Sequence, residues 1–267
     1  MVVGGAFSFD WGLVQPAVAK FTRVCTYDPS GTAWSDPAPQ PQQTTAPTCL
    51  DRVSEIHRLL KNAGVPGPYV LVGFSIGALI GRLYNASYPA EVAGMVIVDH
   101  AFIDVESDAP SPPAVSPKSA QSKNTPSPLD SPPVLISSAP ITLGLEDDRN
   151  FRRLSQQDRD LHAWAMSLNP ARPSAETAAQ CSAALEGASR GQPFPFDNKP
   201  LIVIRTENSL PAYQTLQAKL LRLSSNSKQT VAENSSHMVI VDEPGVIVAS
   251  IRQAVDTVRN GTAFRKR

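Results

Sequence analysis

The sequence predicts an α/β fold, a mostly parallel sheet with helices on both faces. Three observations carry this. Short, almost wholly apolar runs recur along the chain, as in "YVLVGF", "GMVIVD" and "PLIVIR", and strands buried on both faces read this way. Stretches with helical spacing separate them, and strands alternating with helices define a parallel sheet. Of the 267 residues, 42% are hydrophobic and 18% charged, a balance that suits a chain burying a sizeable core.

The elements follow in order. "MVVGG" at the start reads as a short buried strand ending in glycines. Residues 10–21 have helical spacing and 22–28 read as a second strand. A Pro/Ser/Gln-rich loop fills 29–47. Residues 49–64 form an amphipathic helix closed by Gly64, since glycine readily takes the left-handed conformation that ends a helix. A third strand covers 68–74, and the helix behind it stops at Pro89. Residues 93–99 and 199–205 are the fourth and fifth strands. A helix over 211–224, a sixth strand over 228–234 and a last helix over 244–258 complete the series. In such sheets the reactive groups gather at the carboxyl ends of the strands.

One region breaks the rhythm. Nine of the 25 prolines fall between Pro110 and Pro140, which rules out long regular elements there. Helical spacing returns over 148–168 and 174–189. Residues 100–198 are therefore expected as a Pro/Ser-rich segment plus a helical cap, inserted into a core made by 1–99 and 199–267. Trp164 and Met166 are candidates for pocket or lid packing.

Composition excludes several classes. Lys+Arg and Asp+Glu both total 24, so charge gives no case for nucleic acid or an anionic membrane as partner. No apolar run approaches the ~20 residues of a bilayer span, and no signal peptide is visible. Cys25, Cys49 and Cys181 lack metal-type spacing. An odd count reads as reduced thiols in a reducing compartment, with one pair left open, and the expected location is cytoplasmic. Neither a metal nor an organic cofactor is implied.

The chemistry is carried by "VLVGFSIGAL", residues 70–79. Here Gly73-x-Ser75-x-Gly77 sits where a strand becomes a helix. A tight strand-to-helix turn strains the serine and brings backbone too close for a Cβ on either side, hence two glycines. The hydroxyl then projects from the sheet edge, beside the N–H groups of a helix start. A serine needs a base. Of the four histidines, His57 lies inside the amphipathic helix, His162 in the insertion, where it could line a pocket, and His100 directly after the fourth strand. His237, in "ENSSHMVIVDEPG" after the sixth strand, can reach over the carboxyl edge and is the candidate base.

"VLVGFSIGALIGRLYNASYPAEVAGMVIVD" and "SSHMVIVDEP" resemble the α/β-hydrolase superfamily, most closely a bacterial serine esterase-like branch. "FTRVCTYDPSGTAWSD" is similar to that branch's loop after its second conserved strand. The resemblance covers the core and weakens in the insertion, where the superfamily carries a variable cap. It implies a Ser–acid–His hydrolase in that chain order. It also implies a hairpin ahead of the first strand, whereas this sequence begins inside that strand.

The acid is left with alternatives. Many relatives place an Asp in the loop after the strand that follows the cap. "PLIVIRTENSLP" has Glu207 as its one carboxylate there, and Ser209 in the usual place. Other relatives take the acid from the end of the preceding strand, where this chain has Asp99. Asp99 is the first candidate, Glu207 the alternative, and Asp104 a further one. By position, the N–H groups of Ala6 and Ile76 would form the oxyanion hole. The expected function is hydrolysis of a small-molecule carboxylic ester through an acyl-enzyme. Other acyl-transfer chemistry (amidase, thioesterase, lactonase, perhydrolase) and a non-catalytic ligand-binding member of the fold are the alternatives.

Overall fold

The computed structural model describes residues 2–3, 6–37, 47–100, 145–168, 175–189, 195–207, 209 and 211–264. Among the described residues the sheet has five parallel strands in chain order: β1 (Val2–Val3), β2 (Tyr69–Phe74), β3 (Val92–Val98), β4 (Leu201–Thr206) and β5 (Ser227–Ala232). The helices are α1 (Gln15–Ala19), α2 (Cys49–Asn62), α3 (Gly77–Ser87), α4 (Gln156–Leu168), α5 (Ala175–Ser189), α6 (Pro211–Leu220), α7 (Val239–Asp242) and α8 (Pro244–Asn260).

Side chains alternate across the sheet with a period of two. Leu71, Met95, Ile97, Leu201 and Val203 face one side, where they pack with residues of α2, α3 and α5. Val72, Phe74, Val96, Val98, Ile202 and Ile204 face the other, against Trp11, Val18 of α1 and the buried stripe of α8. Both faces are covered, which is why the strands read as unbroken apolar runs.

The capping residues explain where α2 begins and ends. Thr48 Oγ1 accepts the Asp51 N–H at 3.2 Å, and Asp51 Oδ2 accepts the Thr48 N–H at 2.8 Å, a reciprocal capping box. Gly64, at φ +57°, closes the other end, as expected.

Two expected elements differ. Residues 22–28 join no strand ladder among the described residues. Among the described residues β1 pairs with β2 through Val2 and Val3, and 22–28 makes no ladder beside it. This segment is fixed through side chains instead: Asp28 accepts the N–H and hydroxyl of Ser8 at 2.8 and 2.7 Å. The stretch 10–21 is not one helix but a 3-10 turn (Ser8–Trp11) followed by α1. Pro16 lies in the first turn of α1, where its missing N–H costs nothing.

Within the insertion, 3-10 turns at Leu145–Asp147 and Phe151–Arg153 precede α4. Asp104 and the proline-rich stretch from Pro110 to Pro140 lie outside the described residues. Helix α5 joins the core: Ala178, Cys181 and Leu185 belong to the same buried cluster as Leu79 and Leu83 of α3. The cysteines correct the expectation of reduced thiols. Cys49 and Cys181 form a disulfide with Cα atoms 5.3 Å apart, across 132 residues, while Cys25 is free. The pairing depends on α5 docking beside α2, which spacing along the chain does not reveal. No helix among the described residues is long and apolar enough to cross a membrane.

Candidate active site

Strand β2 ends at Phe74, paired with Val98 of β3, and α3 begins at Gly77. Two residues turn the chain between them. Ser75 takes φ +53°, a left-handed value that non-glycine residues rarely adopt, and its N–H donates to Val98 O at 3.1 Å. A Cβ on Gly73 would lie 2.5 Å from Gly77 O and 2.7 Å from both N and Cα of Ala78. Glycine is therefore required at 73 by the close approach of α3 to the strand. Ser75 is 7% exposed.

Asp99 stands in the matching place one strand over. It follows Val98, has φ +39°, and its N–H donates to Ile204 O at 2.8 Å. His237, in the loop between β5 and α7, brings Nδ1 to 2.7 Å from Asp99 Oδ2. The imidazole also stacks on Phe74, with ring centroids 4.9 Å apart. His237 thus spans the ends of β2 and β3, touching Asp99 and the Phe74 ring that directly precedes Ser75. Among the described residues no hydrogen bond joins Ser75 to His237; such contacts often tighten only when substrate binds.

Glu207 is exposed and not on His237; its N–H bonds Ala232 O. Ser209 turns its hydroxyl onto Thr206 O. Ile76 is the residue before α3, and Ala6 the half-buried residue before the turn at Phe7. His57 is half-buried against Glu91 and Tyr88. His100 is fully buried. Trp164 packs on Trp34, ring centroids 4.8 Å apart, and both rings reach the surface; Met166 is half-buried.

Two polar clusters escaped sequence reasoning. The first supports the His237 loop. Asp242 Oδ2 accepts the N–H of Ser236 at 2.7 Å and lies 2.7 Å from the Ser236 hydroxyl, which also lies 2.9 Å from Asp148 Oδ2. Asn150 donates to the other oxygen of Asp242, and Arg153 donates to the carbonyls of Val241 and Asp242. Burial works to raise the Asp242 pKa, but the hydrogen bonds from Asn150 and Ser236 outweigh it and hold the carboxyl below its ordinary value. Asp148 is pushed up, by burial first and then by the Asp242 charge. The one trace in the sequence is an acid five residues after His237.

The second cluster surrounds His162, which is 4% exposed. Its Nδ1 lies 2.8 Å from Asp10 Oδ1 and its Nε2 2.9 Å from Glu146 Oε2. Burial depresses its pKa, but hydrogen bonds and charge from the two carboxylates win, and the net shift is upward. No local motif marks this trio, which comes from three separated segments.

With this geometry in view, the chain belongs to the α/β-hydrolase fold family: the family's model matches residues 4–244. The uncharacterized protein YqjL of Bacillus subtilis is 25% identical over 253 residues, covering 92% of this chain and 78% of that one. An uncharacterized protein of Schizosaccharomyces pombe is 34% identical over 96 residues, which is 36% of this chain and only 17% of the yeast protein. Among solved structures, a candidate epoxide hydrolase of Pseudomonas aeruginosa superposes with a TM-score of 0.62 at 17% identity, covering 97% of this chain and 88% of that one. A thermophilic esterase of Thermogutta terrifontis gives 0.57 at 17% identity, covering 96% and 88%. At such identities the structural likeness speaks for the fold.

Proposed function

We propose that this chain is a serine hydrolase cleaving a small-molecule carboxylic ester through an acyl-enzyme. The observation that carries the reading is the 2.7 Å contact between His237 Nδ1 and Asp99 Oδ2, made beside a serine held at φ +53°. That contact leaves Nε2 as the basic nitrogen, in the tautomer a general base requires.

The steps follow. Ser75 Oγ attacks the ester carbonyl carbon while its proton passes to His237 Nε2. The carbonyl oxygen becomes an oxyanion facing the N–H groups of Ala6 and Ile76. The intermediate collapses, the C–O bond to the alcohol breaks, and the leaving oxygen takes the proton back from His237. Water then attacks the acyl-enzyme and gives a proton to His237. The carboxylic acid departs as that proton returns to Ser75. Asp99 orients the imidazole throughout and stabilises its charged form.

Epoxide hydrolases are among the structural neighbours. Serine at the elbow, where their relatives use a carboxylate nucleophile, favours acyl chemistry instead. From the insertion, α4 and the turns before it serve as the cap that selects the substrate, while α5 packs into the core. The Cys49–Cys181 disulfide favours an oxidising compartment over the cytoplasm suggested by composition.

The test is labelling with a fluorophosphonate, together with hydrolysis of a short activated ester. Wild type should label and turn over. Ser75→Ala should do neither while keeping its fold by circular dichroism. Residual turnover above about a hundredth of wild type would sink the reading, since losing the nucleophile of a triad costs far more.

A further inference from the structure

The trio of buried Asp10 and His162 with the partly exposed Glu146 touches none of the groups assigned above, yet it sits against the segment that carries Ala6. Asp10 belongs to the 3-10 turn directly after β1. One oxygen of its carboxylate accepts the Phe7 N–H at 2.8 Å, and the other faces His162 Nδ1 at 2.8 Å. The Asp10 N–H closes the turn by donating to Phe7 O at 3.1 Å. The rings of Phe7 and Phe151 meet the imidazole edge-on, with centroids 5.5 and 5.2 Å away. His162 belongs to α4 of the insertion. It is the inserted segment's polar grip on the turn that follows Ala6.

We propose that His162 is a positioning residue for the oxyanion hole: its imidazolium, donating to Asp10 and Glu146 at once, holds the Phe7–Asp10 turn and so fixes the Ala6 N–H. The inference rests on the serine hydrolase reading of the preceding subsection. An imidazolium has two N–H donors and satisfies both carboxylates. A neutral imidazole has one donor, so one carboxylate faces a bare nitrogen lone pair, which is costly on the buried Asp10 side and milder at the partly exposed Glu146.

The other charged groups near His162 are otherwise engaged. Asp28 acts on the site through Asp10 while accepting from Ser8. Arg153 points at Val241 and Asp242, and Arg152 is exposed. On α4 itself Asp158 pairs with Ser155, Asp160 with Gln156, and Arg159 with the carbonyls of Arg152 and Leu154. Asp147, beside Glu146, is exposed. Asp10 and Glu146 are thus the groups in contact with the ring, and both favour its charged form. Burial raises Asp10 as well, so the pair holds its proton more firmly than a free imidazole does.

The expected signature is kinetic. An oxyanion donor acts in the transition state, so its displacement lowers kcat with little change in KM. Removing a donor outright costs about 10²–10³-fold; loosening one through its support should cost about tenfold. Wild-type kcat should therefore fall on the alkaline side as His162 loses its proton. His162→Gln should have a kcat about tenfold lower at neutral pH and no alkaline fall. Glu146→Gln, milder because Glu146 is partly exposed, should keep the fall but move it to lower pH. Hydrogen exchange of the Phe7 amide gives a readout independent of turnover. Its protection should drop through the same pH range in wild type and be low throughout in His162→Gln. An alkaline limb identical in all three proteins, with constant Phe7 protection, overturns the proposal. If wild type hydrolyses no ester and takes no fluorophosphonate, the hydrolase reading fails. Phe7 protection that does not follow pH then overturns the clamp as well, and protection that does follow it upholds the clamp.

Discussion

Ser75 and Asp99 occupy equivalent places on neighbouring strands. Each directly follows a residue of one pair in the ladder, Phe74 opposite Val98, and each has positive φ, +53° and +39°. Both side chains therefore leave the sheet at the same level of its carboxyl edge. His237, 138 residues from Asp99 along the chain, closes over them from the loop after β5. The strained backbone is placed where the proposed chemistry is.

Asp99 is distinguished from Glu207 by paired variants. Asp99→Asn should lower kcat on a short ester by about 10³–10⁴-fold, because the amide leaves His237 in the wrong tautomer. Glu207→Gln, at an exposed position, should change it less than about threefold. Steady-state kinetics at neutral pH decide, and the reverse order would move the acid to the loop after β4.

Gly73→Ala should damage both stability and activity. Its Cβ would meet backbone atoms of Gly77 and Ala78, which cannot swing aside as a side chain could. A cost of about 1–3 kcal/mol is expected for such overpacking, read as a lower urea midpoint. Displacement of the turn should also slow fluorophosphonate labelling of Ser75. An unchanged midpoint would mean that the turn is less tight than described.

Replacing Cys49 and Cys181 together by serine should lower stability by about 2–4 kcal/mol. The same drop should follow treatment of wild type with a reductant, and should be absent when the double variant is so treated. Thermal melts with and without reductant provide the measurement.

Stability should also depend on pH through His162. Its folded pKa lies above its unfolded one. Its contribution is then fully present below the unfolded value of about 6.5 and is lost as pH rises through the raised folded value. Wild type should lose stability across that window more steeply than His162→Gln. Urea midpoints measured at intervals from pH 6 to pH 9 test this, and parallel curves would count against it.

Much of this molecule was legible in its residues because the relevant physics is local. Strand β2, the elbow glycines and α3 follow one another in a single stretch, so periodicity and one close approach define them. Gly64 announced the end of α2 for the same reason. What the sequence concealed depends on distant segments. Residues 22–28 look like a strand, but a strand needs a partner in a ladder, and among the described residues this segment is held by the bonds of Asp28 to Ser8 instead. The Cys49–Cys181 pair needed α5 to dock on α2, and the burial of His162 between Asp10 and Glu146 needed three segments to converge. Asp99 lay between these cases. Its strand-end position was readable, and its pairing with His237 across 138 residues was read only with the help of the family resemblance.

Arg153 and Asn150, from the inserted segment, grip Val241 and Asp242 behind the His237 loop. A cap that merely roofs a cleft could be exchanged between relatives like an accessory. The cap proposed above is also joinery for the His237 loop. A chimera that replaces residues 145–168 with a foreign cap would change substrate preference and unseat His237 together. Variation in this lineage should therefore concentrate in the stretch before Leu145, leaving the bracing turns intact.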